Sequence, residues 1–322
     1  TQYSPLLFLA SLWAWWTSVM FFMYLMFLTN HTDLPIPTFD SLKIYFTNFD
    51  IIFVLLIIFS AVWILFFAFL HFKLLFWNLS KLKEFKKTKE YEKLKSWNWE
   101  VTLMALPLTL AMTLNVSFII GAVFIPWLWW IVEFLFPFAL LWFFLIWILA
   151  LKIFSEYFIR LIVKWDFDFV SNNNLSQMMA IFAFSMIWVW FAAPAAMSQN
   201  LWSSTIWFIF FIFFITIAVF FAILKIIFWF KSIFEHGLSR EASPSIWILI
   251  PILTLIWISF VRQSHSLENN FDLSHNSTTF FVLTTIIVSL QFMFWYIWYK
   301  VMKINWYFKD YLNWDLKSSW SY

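Results

Sequence analysis

Polar side chains and prolines recur inside several apolar segments of this 322-residue chain, where they could present hydroxyl, amide and freed carbonyl groups to a ligand. A proline inside a helix leaves a backbone carbonyl without its usual donor, and hydrocarbon cannot supply another. The stretches concerned are "MALPLTLAMTLNV", "FAAPAAMSQN" and "ILIPILTLIW". The residues that could line a polar path, or allow a helix to bend, are Pro107, Thr109, Asn115, Pro194, Pro251 and Thr254. The alternative is that these residues only help helices to pack.

Charged groups near the apolar segments are few, and they are candidates for the mouths of such a path. Glu133 falls inside one segment, where a carboxylate is costly and is a functional candidate by default, although a structural role is the alternative. Arg262 ends another segment and could attract anions or extend toward the interface. His236, Arg240 and Glu241, in "EHGLSREASPS", could line an inner mouth or form a salt-bridged turn.

No pattern typical of an enzyme accompanies these residues. The chain has no Cys, no Walker loop, no HExxH and no GxSxG, and His31, His265 and His275 lack metal-ligand spacing. We therefore predict no catalytic residues, no metal and no cofactor.

The composition of the sequence predicts that lipid, not water, surrounds most of the chain. The sequence is 64% hydrophobic and 11% charged, whereas soluble domains average about 25% charged residues. Since about 20 apolar residues in a helix cross a bilayer, the pattern predicts an all-α polytopic membrane protein forming a single transmembrane domain over 1–322. The eight predicted spans are 5–28, 49–71, 101–125, 127–151, 177–198, 202–229, 245–263 and 279–300.

Basic residues mark one side of the membrane. Eighteen of the 20 Lys and Arg residues lie near the C-terminal ends of the even-numbered spans or in the segments that follow them, which predicts that these segments and both visible termini are cytoplasmic. Segment 72–100 is then a basic cytoplasmic loop, and 29–48 and 264–278 are extracytoplasmic loops. For the lysine-rich part, 81–95, we favour a short helix against anionic headgroups over nucleic-acid binding.

The odd-numbered spans differ from the even-numbered ones. Each odd span carries a proline together with Thr, Ser, Asn or Ala, whereas the sixth span, "WFIFFIFFITIAVFFAILKIIFWF", is Phe and Ile almost all round. A helix that is apolar all round can face lipid, but a polar face needs protein or water. We predict helical hairpins in which kinked odd helices lie inside and apolar even helices lie outside.

Several of these stretches resemble known membrane families. "SAVWILF" and "MALPLTLAM" are similar to the tellurite-resistance/dicarboxylate transporter family, which includes the slow anion channels. "LPLTLAMTLNV", "LSQMMAIFAFSM", "FAAPAAMS", "EHGLSREASP" and "WILIPILTL" resemble, over nearly the whole chain, the bacterial TsoY-type (seleno)protein family. The resemblance implies a bacterial inner membrane protein with ten helices when complete, a small-anion substrate and a homo-oligomer. Because the chain starts at Thr1 rather than Met and stops at Tyr322 in a polar stretch, we also expect it to be truncated at both ends.

The function that these patterns predict is a channel or secondary transporter for small anions, with a path between the odd-numbered helices. One alternative is a membrane redox or selenium-linked factor that acts through a residue in an absent C-terminal segment. Another is a structural membrane partner that transports nothing.

Tryptophan and glycine are present in unusual numbers. The chain has 25 Trp and 2 Gly, and Trp occupies turn-like contexts such as "SWNWE", "KWDF" and "NWD", which favour glycine. An aromatic belt at the membrane interfaces is an alternative that accounts for Trp77, Trp127, Trp202 and Trp229 but not for the missing glycines. We hypothesise that the native organism reads UGA as glycine, so that "SLWAWW" is "SLGAGG" in the cell. Small residues there would allow close helix approach.

Overall fold

The computed structural model describes residues 3–31, 34–48, 50–96, 98–164, 178–197, 201–238, 243–271, 277–305 and 308, and all regular structure within them is helical. The α-helices are α1 (Phe8–Leu28), α2 (Phe39–Thr47), α3 (Ile51–Phe85), α4 (Lys89–Lys95), α5 (Ala105–Phe124), α6 (Val132–Lys164), α7 (Met178–Met197), α8 (Leu201–His236), α9 (Leu249–Phe271) and α10 (Ser277–Ile304). Short 3-10 segments occupy Pro5–Leu7, Asn98–Met104, Leu128–Ile131 and Ser243–Ile248.

The predicted fold class is confirmed. In the part of the chain that the structure describes, seven helices are long and apolar enough to cross a membrane, which makes the chain a multi-pass integral membrane protein associated with the lipid bilayer. The predicted fifth span corresponds to α7, whose first ten residues, Met178–Ile187, form a shorter apolar stretch. The prediction of ten helices in a complete protein stays a prediction.

Burial distinguishes the odd-numbered spans from the even-numbered ones, as predicted. In the most apolar stretch of each span, 39%, 67% and 33% of residues are buried in the first, third and seventh spans. The corresponding shares are 22%, 28%, 28% and 0% in the second, fourth, sixth and eighth. The even-numbered helices therefore leave more of their apolar surface for lipid.

The chain forms two compact units. The first unit comprises Leu7–Phe85 and Thr109–Ile146, and the second comprises Thr1–Leu6, Lys86–Leu108 and Trp147–Tyr322. Helices α5 and α6 each contribute residues to both units.

The first unit is built on an antiparallel pair formed by α1 and α3. The Ser11 hydroxyl of α1 donates to the carbonyl of His71 of α3, and the Ser18 hydroxyl donates to the carbonyl of Ile64. Because the later residue of α1 meets the earlier residue of α3, the two helices run in opposite directions. Buried residues recur every three or four positions along both helices, which is the spacing that keeps one helical face against a partner. The apolar core of the unit also receives residues from α2 and α5; its members are Phe22, Leu25, Leu42, Ile57, Ile64, Ile119 and Val123.

In the second unit, α7 packs against both α8 and α9, and α10 packs against α9 and the 3-10 segment Ser243–Ile248. The described part of α7 is almost completely buried, which agrees with its small and polar residues. The core of this unit comprises Met178, Ile181, Ala222, Trp229, Ile246, Leu249, Ile252, Trp298 and Met302.

Two of the predicted prolines lie at helix beginnings. Pro107 and Pro251 are each the third residue of an α-helix that follows a 3-10 segment. The N–H groups of a first turn have no partner within the helix, so proline is tolerated there without loss of a hydrogen bond. Pro137, which is not among the predicted prolines, instead lies inside α6, an even-numbered span.

The ranges predicted as loops contain helix. Helix α3 continues to Phe85, so much of 72–100 is helical, and α4 supplies the short helix predicted within 81–95. At 35 residues, α3 is about 50 Å long and exceeds a hydrocarbon core of about 30 Å, so its basic end can project into the headgroups. Segment 29–48 contains α2, and α9 extends to Phe271, within 264–278; residues 272–276 lie outside the described residues.

Several tryptophans occupy positions whose backbone conformation or buried environment is unfavourable for tryptophan. Trp127 has a φ of 58°, in the left-handed region that favours glycine, and its N–H donates to Asp40 over 3.0 Å. The buried indole N–H groups of Trp15, Trp229 and Trp298 have no acceptor among the described residues. A buried donor without an acceptor is costly, so these positions fit the hypothesis that glycine stands there in the cell, including Trp127 and Trp229, for which the sequence alone also allowed an interfacial belt.

Replacing Trp127 tests this hypothesis. We expect Trp127→Gly to stabilise the protein by about 1 kcal/mol, because the left-handed conformation costs a residue with a Cβ about that much. The measurement is the unfolding midpoint of the purified protein in detergent.

Trp130→Gly is the matched control. Trp130 is similarly exposed but lies in the 3-10 segment with an ordinary backbone, so glycine there should lower stability. Equal effects of the two substitutions, together with a UGG codon at position 127, would contradict the hypothesis.

Candidate functional site

Three clusters of polar side chains in the described part of the chain each contain at least one buried member. The arginine–glutamine site consists of Arg262 and Gln263 on α9. The histidine cluster consists of Ser11, His71 and Thr113. The carboxylate–arginine cluster consists of Lys95, Glu100, Glu156 and Arg160. The histidine cluster lies in the first unit and the other two lie in the second.

Arg262 is held within the second unit and is half-buried. Its Nη1 donates to the carbonyl oxygen of Val189 on α7 over 2.7 Å. Pro194 removes the N–H that would bond the next carbonyl, that of Trp190, so this turn of α7 has a carbonyl without its helical donor. A guanidinium has five N–H donors in a fixed planar fork, and one of them binds this stretch of α7. Arg262 therefore links α7 to α9 through a side-chain–backbone bond.

Gln263 follows Arg262 and is 5% exposed. Neither its amide nitrogen nor its amide oxygen has a hydrogen-bond partner in the described residues. Leaving a buried amide without partners costs about 1–3 kcal/mol, a cost that a bound ligand would remove. The nitrogen supplies two N–H donors and the oxygen supplies an acceptor.

Hydroxyl groups accompany Gln263 on the buried face of α9. Ser259 and Ser266, four residues before and three residues after Gln263, are fully buried. Ser266 shares a hydrogen bond of 3.1 Å with Ser204 of α8. Ser259 donates to the carbonyl of Leu255 over 2.7 Å. This part of α9 thus carries, within eight consecutive residues of a membrane span, a cation, an amide and two hydroxyls, and groups of these types bind small anions.

The other predicted path residues are distributed over both units. In the first unit, Thr109 is buried and donates to the carbonyl of Phe8 over 3.4 Å, and Asn115 is buried on the same helix. In the second unit, Thr254 accepts a bond of 2.7 Å from Gln291 and donates to the carbonyl of Ile250. Pro107 and Pro251 begin helices in this unit. Pro194 lies in α7, and its side chain is outside the described residues.

The structure describes the side chain of only part of the predicted mouth residues. Glu133 is in the first turn of α6, where a carboxylate interacts favourably with the positive end of the helix dipole; this placement accounts for Glu133 structurally. His236 is the last residue of α8, and its side chain lies outside the described residues. Arg240 and Glu241 also lie outside them.

The histidine cluster was missed from the sequence. His71 is fully buried between α1 and α5, with Nδ1 2.9 Å from the carbonyl oxygen of Ser11 and 3.0 Å from its Oγ. Its Nε2 lies 2.9 Å from Oγ1 of Thr113. Asn78, two turns further along α3, donates to the carbonyls of Leu7 and Leu74. The available signal was a histidine seven residues before an asparagine on one face of an apolar helix.

The carboxylate–arginine cluster joins the segment before α5 to α6. Glu100 is 2% exposed and accepts a bond of 3.1 Å from Nε of Arg160, whose Nη1 also donates to the carbonyl of Ser96. Lys95 lies 2.9 Å from Glu156 and 3.9 Å from Glu100. Two cations thus face two carboxylates, so the buried charge of Glu100 is compensated.

The hydrogen bond from Lys95 to Glu156 raises the pKa of Lys95 above its ordinary value. A raised pKa in the folded state stabilises the protein fully below the ordinary pKa of about 10.4, and this stabilisation disappears only above it. The cluster therefore gives no pH dependence near neutrality through Lys95.

Removing the buried carboxylate tests the role of the cluster. We expect Glu100→Gln to destabilise the protein by about 3 kcal/mol, because Arg160 would keep a buried charge without its counterion. The measurement is the unfolding midpoint in detergent. Glu84→Gln is the control, since Glu84 pairs with Lys81 on an exposed surface and should change stability by less than about 1 kcal/mol. Equal losses in both variants would contradict this assignment.

Within the described residues, no group of three or more His, Cys, Asp or Glu side chains could hold a metal ion. Comparison of the chain with protein-family models, with curated proteins and with solved structures gives no match.

Proposed function

We propose that the protein is a channel or secondary transporter that moves small anions across the membrane. The observation that carries this proposal is the arginine–glutamine site, where a buried amide that has no partner among the described residues follows a cation in the sequence of a membrane span. A cation in a membrane span is costly and is retained where it serves structure or transport. The Arg262–Val189 bond accounts for part of the structural role, but it leaves the Gln263 amide unexplained.

The donor chemistry indicates the substrate class. Arginine and amide N–H groups bind anions by charge-assisted and neutral hydrogen bonds, and rings of Arg or Lys select anions in pores. Hydroxyls such as those of Ser204 and Ser266 can replace part of the hydration shell of a small anion. The resemblance to the tellurite-resistance/dicarboxylate transporter and TsoY-type families supports the same class, and we propose transport rather than enzymatic activity.

The test is anion flux in proteoliposomes with Gln263→Leu. Leucine fills a similar volume without polar atoms, so the variant should be more stable by about 1 kcal/mol or more. If Gln263 binds the permeating anion, flux should fall about tenfold, the value of a hydrogen bond to a charged group. The measurements are chloride and nitrate flux with matched potassium-flux controls.

The matched control is Thr285→Val on α10. The Thr285 hydroxyl bonds only the carbonyl of Phe281 among the described residues, and the side chain is exposed, so flux should remain at the wild-type value. Absence of anion flux in the wild type, or wild-type flux in Gln263→Leu, would overturn the proposal. Higher stability with lower flux would separate the functional effect from misfolding.

We further propose a bacterial inner membrane location with both visible termini in the cytoplasm. The charge asymmetry of the loops supports this orientation. Because the chain contains no cysteine, single introduced cysteines report topology without background. In intact spheroplasts, an impermeant maleimide should label Lys43→Cys but should label Lys89→Cys only after lysis. The reverse pattern would invert the topology.

A further inference from the structure

His71 has hydrogen-bond partners on both ring nitrogens, and the partners determine which nitrogen carries a proton. The carbonyl oxygen of Ser11 can only accept, so Nδ1, 2.9 Å away, must donate. The hydroxyl of Ser11 uses its own hydrogen on the carbonyl of His71, over 2.9 Å. Nδ1 is thus protonated whatever the charge of the ring.

The partner of Nε2 can adopt either role. Thr113 Oγ1 lies 2.9 Å from Nε2 and also 2.9 Å from the carbonyl oxygen of Thr109. In the neutral ring, Thr113 can give its single hydrogen to Nε2. In the protonated ring, Nε2 donates to Oγ1 of Thr113, and the Thr113 hydroxyl then donates its own hydrogen to the carbonyl oxygen of Thr109. One hydroxyl rotation therefore satisfies both forms of the ring.

No carboxylate among the described residues of the packed helices fixes the charge of the ring. Helix α5 has no titratable residue, and the only one on α1 is Tyr24, thirteen residues, or about 20 Å, from Ser11. On α3 itself, Lys73 is exposed, and Lys81, Lys83 and Glu84 lie at least ten residues away. The ring is thus held by neutral dipoles.

The Nε2 side of the ring is less covered than the Nδ1 side. Ser11 is fully buried, whereas Thr113 is half-buried and is followed one turn later by exposed Ser117, which donates to the carbonyl of Thr113. Hydroxyls at 109, 113 and 117 lie on one face of α5. Proton exchange at Nε2 would therefore occur on the Thr113 side.

From this arrangement we propose that His71 is a reversible proton-binding site inside the membrane span, with Thr113 as the hydroxyl that adapts to both charge states. The ligand is a proton taken from water at Nε2 and returned there; no other bond forms or breaks. The inference is independent of the anion-transport proposal, because it concerns the first unit and its test measures no flux.

The test is nuclear magnetic resonance of the full chain in lipid nanodiscs with ¹⁵N-labelled histidine. The His71 signal is assigned by its loss in His71→Asn. From about pH 9 to about pH 4, we expect a reversible change from the ring protonated at Nδ1 alone to the doubly protonated ring. A ring that stays neutral or stays charged throughout, or a neutral ring protonated at Nε2, would overturn the proposal.

Substitution of Thr113 tests the switching hydroxyl. Thr113→Val removes the acceptor needed by the protonated ring and should lower its proton affinity about fivefold, the value of one hydrogen bond. Thr113→Ser keeps the hydroxyl and should retain the wild-type titration. If the valine and serine variants titrate alike, Thr113 does not hold the proton-bearing nitrogen; if valine prevents folding, the wild-type tautomer still decides the proposal.

Discussion

The structure depends on one constraint: hydrocarbon offers no hydrogen bonds, so each polar group in a span must find its partner within the protein. Most hydroxyls in the described helices meet it by bonding to backbone carbonyls, either on their own helix, as Ser259 does, or on a neighbour, as Ser18 does. Arg262 meets it on the backbone of α7. Gln263 does not meet it among the described residues; the indoles of Trp229 and Trp298 also lack an acceptor there, but Gln263 has two polar atoms without partners.

The sequence was sufficient to predict the membrane class, because an apolar run long enough to cross a bilayer needs no tertiary information. The difference between odd and even spans was also predictable from the sequence, because polar and small residues on α5 and α7 require protein neighbours. The residues at which helices end were harder to predict from the sequence. Lysines after residue 72 indicate a loop, yet α3 continues through them, because a charged helix end is stable once it has left the hydrocarbon.

The sequence could identify some residues of the candidate sites by their type, but it could not identify their hydrogen-bond partners. Arg262 was identifiable because a charged residue near an apolar segment is rare, but its bond to the Val189 carbonyl depends on the packing of α7 against α9. His71 was missed because it lies at the predicted end of a span, where a histidine can reach the interface. Only the packing of α1 and α5 around it shows that it is fully enclosed.

The antiparallel pair of α1 and α3 has a mechanical consequence. Three side chains at different heights, Ser11, Ser18 and Asn78, each donate to a backbone carbonyl of the facing segment. Sliding one helix past the other by a single residue would break all three bonds at once. The two helices should therefore behave as one stiff rod, and any rearrangement of the first unit must bend or rotate elsewhere.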